Sequence, residues 1–288
     1  RWQESDFNES IKDHVKTSCK IRSEREHIDH VNTLVKQGDM LKLSESEKGD
    51  AVWKSFIFDM KKGIMKFCLN SITNTLPTGD NLLQWGKSTS DKCKLCKCRE
   101  TTCHILNNCQ VNLDQGRYTW RHDNVINYIL NCLDTSKFKI FSDLAGHTTA
   151  TGGTIPVEVC ITPLKPDITI IDKKSKTFNI FELTCPLEPN IKKRSSQKSE
   201  KYFHFLTDIV CLTPTLTCFE VGSRGYLSPE NHTKLKLLHG FCKPGVKLKK
   251  FKENLSALSL YSSYAIFINR KEPQWISPGY IDPPFMDK

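Results

Sequence analysis

The sequence contains no run of 18 apolar residues, and it does not open on a charged-then-apolar signal segment. Both absences predict an intracellular chain that does not span a membrane. Its 13 cysteines are an odd number, which excludes a full disulfide framework. In a reducing compartment they are thiols or metal ligands. There is no internal repeat and no long low-complexity segment. Acid is in short supply: 32 Asp+Glu stand against 42 Lys+Arg, a formal charge of +10. That excess suits a polyanionic partner, nucleic acid first, with a merely solvated basic surface as the alternative. A hydrophobic content of 38% over 288 residues suffices for one large domain or two smaller ones. The first residue is Arg1 rather than Met, as expected of a fragment of a longer product.

Residues 1–48 are polar, with weak helical patterning around "IDHVNTLVKQGDML". From Ala51 to Asn74, the residues Trp53, Phe56, Ile57, Met60, Ile64, Phe67 and Ile72 recur at steps of three and four, predicting an amphipathic helix. "LPTGDN" ends it. "DQGRYTWRHDNVINYILNCL" predicts another helix, with Val125, Ile126, Ile129 and Leu130 inward. "GHTTATGGTIP" (146–156) has the composition of a linker or flexible loop and is the expected domain boundary. Short β-prone runs follow: "VEVCIT", "DITII", "FNIFELT" and "LTCFEVG", with a helix at about 195–210 between the last two. "ENLSALSLYSSYAIFINR" predicts a final helix. The mixture points to an α/β or α+β fold. The expected regions are a helical segment over 1–90, a cysteine cluster with its following helix over 91–145, and an α+β domain over 146–288.

"CKLCKCRETTCHILNNC" spaces Cys93, Cys96, His104 and Cys109 as a CCHC set. Thiolates and imidazole are zinc's preferred donors, and four of them close a structural tetrahedral site. Cys98 and Cys103 are alternatives for either neighbour. With no spare ligand position and no neighbouring acid, zinc here is structural.

Glu182 lies inside the apolar "NIFELT", where a carboxylate is costly unless paired or bound to a metal. If "DITIID" and "TFNIFEL" form a hairpin turning at Lys174-Ser175, then Ile171 faces Phe178, Thr169 faces Ile180 and Asp167 faces Glu182. The two acids then project together and repel unless a cation sits between them. Mg²⁺ favours such oxygens and keeps waters, one of which can attack a phosphodiester. Glu158 is a candidate further acid. Lys198 and Tyr202 share a helical face, with Lys201 adjacent, and a lysine near the metal can stabilise phosphorane charge. "IKKRSSQKSEK", with Lys192, Lys193 and Arg194, and "KPGVKLKKFK", with Lys249 and Lys250, are candidate phosphate contacts.

These residues resemble the PD-(D/E)xK restriction-like endonuclease superfamily. More closely, residues 50–225 resemble the C-terminal part of site-specific non-LTR retrotransposon proteins. There a helical linker precedes a CCHC knuckle and the nuclease follows. "SITNTLPTGDNL" is similar to the linker, the cysteine cluster to the knuckle, and "RYTWRHDNVINYI" to the helix after it. "KPDITIID…FELTCP", "KSEKY" and "FEVGSRGYL" are similar to successive nuclease segments. The resemblance implies a helical region with a zinc knuckle, then a mixed central sheet flanked by helices. It implies nicking of target DNA to free a 3′ hydroxyl that primes reverse transcription, with the nucleus as the place of action. Linker and knuckle would help grip DNA or template RNA. By this resemblance Asp167 and Glu182 hold the metal, and Lys198 or Lys201 is the displaced lysine, since Thr184 stands where the wider superfamily places one. No Tyr/Phe-x-Asp-Asp box occurs, so polymerase chemistry would belong to a longer parent. The competing expectation is a zinc protein that grips nucleic acid without cutting it.

Overall fold

The computed structural model describes residues 4–34, 37–38, 40, 55–209 and 211–284. Helix α1 spans Glu4–Thr33 and is held by its own charges, such as the i,i+4 pair of Arg22 Nε with Glu26 Oε1 at 2.9 Å. Among its described side chains only Val31 is buried. The helix expected over Ala51–Asn74 is broken. Residues 51–54, Trp53 among them, lie outside the described residues. A 3-10 turn at Ile57–Asp59 is separated by extended Met60 and Lys61 from α2, Lys62–Ile72. α2 still buries Phe67 and Ile72, so the periodicity was correct and the continuity was not.

Among the described residues, six further α-helices and a sheet follow. α3 (Gly79–Gln84) begins at Thr78, whose side chain accepts the Asn81 amide. α4 (Gln110–Asp114) and α5 (Arg117–Cys132) are divided at Gly116, which sits at φ 71°. Strands β1 (Lys139–Ser142), β2 (Ile168–Asp172) and β3 (Thr177–Thr184) pair antiparallel in chain order. Helix α6 (Ile191–Thr207) then crosses to β4 (Thr213–Glu220), which pairs parallel with β3. α7 (Pro229–His239) and α8 (Leu248–Ile268) complete the fold. It is a mixed α+β architecture around a four-stranded mixed sheet.

The β2–β3 register pairs Ile171 with Phe178 and Thr169 with Ile180, as the hairpin expectation requires. Asp172 sets the turn: its Oδ1 accepts the Lys174 amide at 2.8 Å, and Lys176 takes φ 55°. β3 is central, with six consecutive buried residues, as fits a strand covered on both faces. One face, with Ile168, Ile170, Phe181 and Leu183, packs on α5, α7 and α8. The other, with Ile171, Phe178 and Ile180, packs on Tyr202 and Phe205 of α6. Each such side chain contributes roughly 1.5–3 kcal/mol relative to exposure. A third cluster joins α2 to α8 through Phe67, Ile72, Ala257, Leu260 and Phe267, so α8 serves both the sheet and the helical region.

One local expectation is corrected. "VEVCIT" forms no strand; residues 157–159 make a turn beginning with the Val159 amide on the Pro156 carbonyl at 2.9 Å. Pro156 offers no donor to a ladder. The stretch 146–156 is an irregular loop that packs in part: Thr154 and Ile155 are buried, and the Thr154 carbonyl accepts the Thr169 hydroxyl at 2.5 Å.

Candidate metal centres

The first centre is made almost entirely by one stretch of chain. Cys93 and Cys96 lie on a tight turn in which the Cys93 amide donates to the Cys98 carbonyl (2.7 Å) and Lys97 reverses the chain at φ 64°. His104 opens a π-helical turn, His104–Asn108, and Cys109 caps it in extended conformation. Five residues along an ordinary α-helix would rotate the second ligand roughly 140° away from the first. The wider π turn brings it back, a device found at functional sites. One donor atom each from Cys93, Cys96, His104 and Cys109 lies within 4.8 Å of all the others. Cys96 Sγ is 3.2 Å from His104 Nε2 and 3.8 Å from Cys109 Sγ. Cys98 is exposed, and Cys103 Sγ accepts the Asn108 side-chain amide at 3.2 Å, so neither joins the cluster. Burial pushes the Cys109 thiol up to about 12. A coordinated cation reverses that cost by ionising the thiol outright. Donor set and geometry fit zinc.

The second centre is assembled from distant elements. Asp167 precedes β2, and Glu182, with no exposed side-chain surface, lies on β3. The Asp167 amide donates to Glu182 Oε1 at 3.2 Å. From α6, Lys198 Nζ donates to Glu182 Oε2 and stands 3.5 Å from Asp167 Oδ2. Tyr202 also hydrogen-bonds Glu182. Glu182 is thus tolerable in the sheet because an ammonium and a phenol meet it there. One ammonium touches both carboxylates, so the pair has room for one shared cation, and carboxylate oxygens are the donors Mg²⁺ prefers.

His122 of α5 was absent from the sequence-based candidates. Its Nε2 is 3.2 Å from Asp167 Oδ2, and its Nδ1 is 3.1 Å from Asp123 Oδ1. A signal for it existed. Arg121, Val125 and Ile129 fall at i, i+4 and i+8, as do His122, Ile126 and Leu130, so both cations occupy the apolar stripe of α5. A charge on such a stripe needs a buried partner.

The electrostatics separate the two acids. Burial raises the Asp167 carboxyl, but the His122 charge and hydrogen bond, Lys198 and the Leu183 amide together hold it down to about 2. Burial and the Asp167 charge push Glu182 up, against Lys198. Burial pulls His122 down, but Asp167 and Asp123 drive it up to about 10, which keeps it charged at neutral pH.

The remaining candidates are dispersed. Lys201 is exposed, with Nζ 3.2 Å from the Tyr202 hydroxyl, and touches neither acid. Glu158 is exposed on its turn, its carbonyl beside Cys211, and does not join the acid pair. Lys192, Lys193 and Arg194 are exposed on the first turn of α6. Arg194 lines a cleft of about 430 Å³ that also meets Asn107, Arg121, His122, Thr184 and Lys198. Lys249 and Lys250 do not line it; they lie 4.0 and 3.2 Å from the Glu253 carboxylate.

The two centres are physically joined. Arg121, fully buried, donates to the Leu106 carbonyl in the π turn (2.9 Å), to the Cys185 carbonyl after β3 (2.9 Å) and to Ser263 Oγ on α8 (3.1 Å). Asn107 donates to the same Cys185 carbonyl at 3.0 Å. On the α6 side, Glu188 takes the Arg224 amide and Nε, each at 2.6 Å, while Arg224 Nη1 reaches the Ser71 carbonyl of α2 at 2.9 Å. A side chain at Gly222 would meet Glu188 Oε1 at 2.5 Å, so that position has no room for a Cβ.

Residues 37–114 match the family described as zinc-binding in reverse transcriptase. The match covers well under half of the chain and includes the whole Cys/His cluster. No curated protein matches the chain. The segment therefore resembles a zinc-binding module associated with reverse transcriptases, and its Cys/His cluster has the donors for zinc. Among the described residues no helix is long and apolar enough to cross a membrane.

Proposed function

We propose that this chain carries a metal-dependent DNA endonuclease, of restriction-like type, in a retroelement protein, and that it nicks target DNA to supply a 3′ hydroxyl for reverse transcription. The observation that carries this is the single ammonium of Lys198 placed against both Asp167 and Glu182 across a β-hairpin. Asp167 and Glu182 would hold Mg²⁺, which when bound supplies an ionisable water and positive charge. Tyr202 keeps Glu182 in place from the α6 side. Lys198 presents positive charge where a pentavalent phosphorane would gather negative charge. Lys192, Lys193 and Arg194, in the first turn of α6, would neutralise backbone phosphates without reading bases. The Cys/His cluster stays outside the chemistry and braces it. DNA is the proposed substrate, and template RNA a further candidate partner.

The test is nicking of supercoiled plasmid in Mg²⁺, abolished by EDTA. Asp167→Ala and Lys198→Ala are expected to lower the rate by roughly 100-fold or more, and Lys201→Ala by no more than about threefold. Equal nicking by Asp167→Ala, or none by the parent chain in any divalent metal, would replace the enzyme with a nucleic-acid-binding zinc protein. One observation favours that second reading: Lys198 and His122 already neutralise the acids, as in a structural ion-pair network.

A further inference from the structure

We propose that His122 is a positioning residue of the Asp167–Glu182 centre, contributed by the helix that follows the zinc cluster, and that it fixes the Asp167 carboxylate for a divalent cation. The inference rests on the nuclease reading and adds to it a residue from outside the β-hairpin and α6.

Geometry makes the case. Among the described residues, the contacts on the Asp167 side chain converge on one oxygen. Oδ2 accepts the Leu183 amide at 2.7 Å and lies 3.2 Å from His122 Nε2 and 3.5 Å from Lys198 Nζ. That leaves Oδ1 as the oxygen offered to a ligand. Of the three partners, Lys198 is the one also bonded to Glu182, so a divalent cation shared by the two acids, meeting Asp167 through Oδ1, competes with its ammonium for the place between them. With that contact weakened, the Leu183 amide and His122 remain to hold Oδ2. The imidazole is itself held on its far side by Asp123, at 3.1 Å from Nδ1. A ring bonded at both nitrogens, directed at a ligating carboxylate, is an outer-shell arrangement whose loss typically costs about 10–100-fold in metal affinity. The backbone beneath it is equally fixed. Arg121, the preceding residue, ties α5 to the π turn between two zinc donors and to the carbonyl of Cys185 at the end of β3.

The experiment titrates Mn²⁺ into the zinc-loaded full chain and reads free ion from its electron paramagnetic resonance signal. Zinc content and circular dichroism report folding. Asp167→Ala is expected to remove the tight binding event. His122→Ala should weaken it about tenfold or more, and His122→Gln, whose amide nitrogen replaces Nε2, should restore it to within about threefold of the parent. A residue that merely supplies counter-charge gives the opposite sign: both variants then bind Mn²⁺ as tightly as the parent or more tightly, and the proposal is overturned. Loss of folding in both variants would make His122 a core residue, which also overturns it. Absence of Asp167-dependent Mn²⁺ binding in the parent chain sinks the nuclease centre itself, an outcome distinct from the other two.

Discussion

The zinc cluster and the acid centre are both sites where one cation fits, and they are built in opposite ways. Cys93, Cys96, His104 and Cys109 come from 17 consecutive residues, and a tight turn and a π turn aim their donors. Asp167, Glu182, Lys198 and His122 come from the start of β2, from β3, α6 and α5. The first site needs only local geometry and a cation. The second needs the sheet, helices α5 and α6 on its two faces and the Arg121 bridge before any of its distances exist. A local site therefore leaves its spacing in the sequence, while an assembled one leaves only charges at positions where burial is expected.

Three experiments test how separate the two sites are. The largest effect is expected from zinc removal by a strong chelator, or from Cys96→Ser. Metal analysis should fall from about one zinc per chain to none, with a loss of more than about 5 kcal/mol because metal binding and local folding are one event. Unchanged thermal melting would remove zinc from the structural account. Next comes Arg121→Met, which removes the donor to the Leu106 carbonyl and one of the two donors to the Cys185 carbonyl. Urea unfolding should show a cost of roughly 3 kcal/mol. A variant as stable as the parent would mean that the two centres stand independently.

The smallest effect is in pH. The folded-state value of His122 is raised to about 10 against an ordinary 6.5. Its charge therefore stabilises the fold fully below about pH 6.5, and that contribution is lost as pH rises towards 10. In zinc-loaded protein free of other divalent metal, the urea midpoint should fall across this window more steeply than in His122→Gln. The difference should be on the order of 1 kcal/mol, since the side chain keeps some solvent. Parallel profiles would place the imidazole outside the pair.

Much of this was legible. The hairpin register followed from parity, because side chains alternate faces and the turn residues bound the loop. The four-donor set followed from spacing, although the exclusion of Cys98 and Cys103 required seeing which sulfurs face inward. The choice between Lys198 and Lys201 was open in the sequence, since both lie on one helix. The rotation of α6 buries Tyr202 against the sheet and brings Lys198, rather than Lys201, into contact with the acids. Glu158 stands exposed on a turn, apart from the acid pair, because the strand expected around it does not form beside Pro156. His122 was missed because its partner lies on another element, 45 positions along the chain.

By itself the sequence determined what depends on neighbours along the chain: the stretch that supplies the zinc donors, the β-hairpin and its facing acids, and the apolar stripes of the helices. Only the tertiary structure decided which cations meet those acids, because a buried carboxylate takes whichever donor the packing of remote helices brings within about 3 Å. No spacing along one chain encodes that distance.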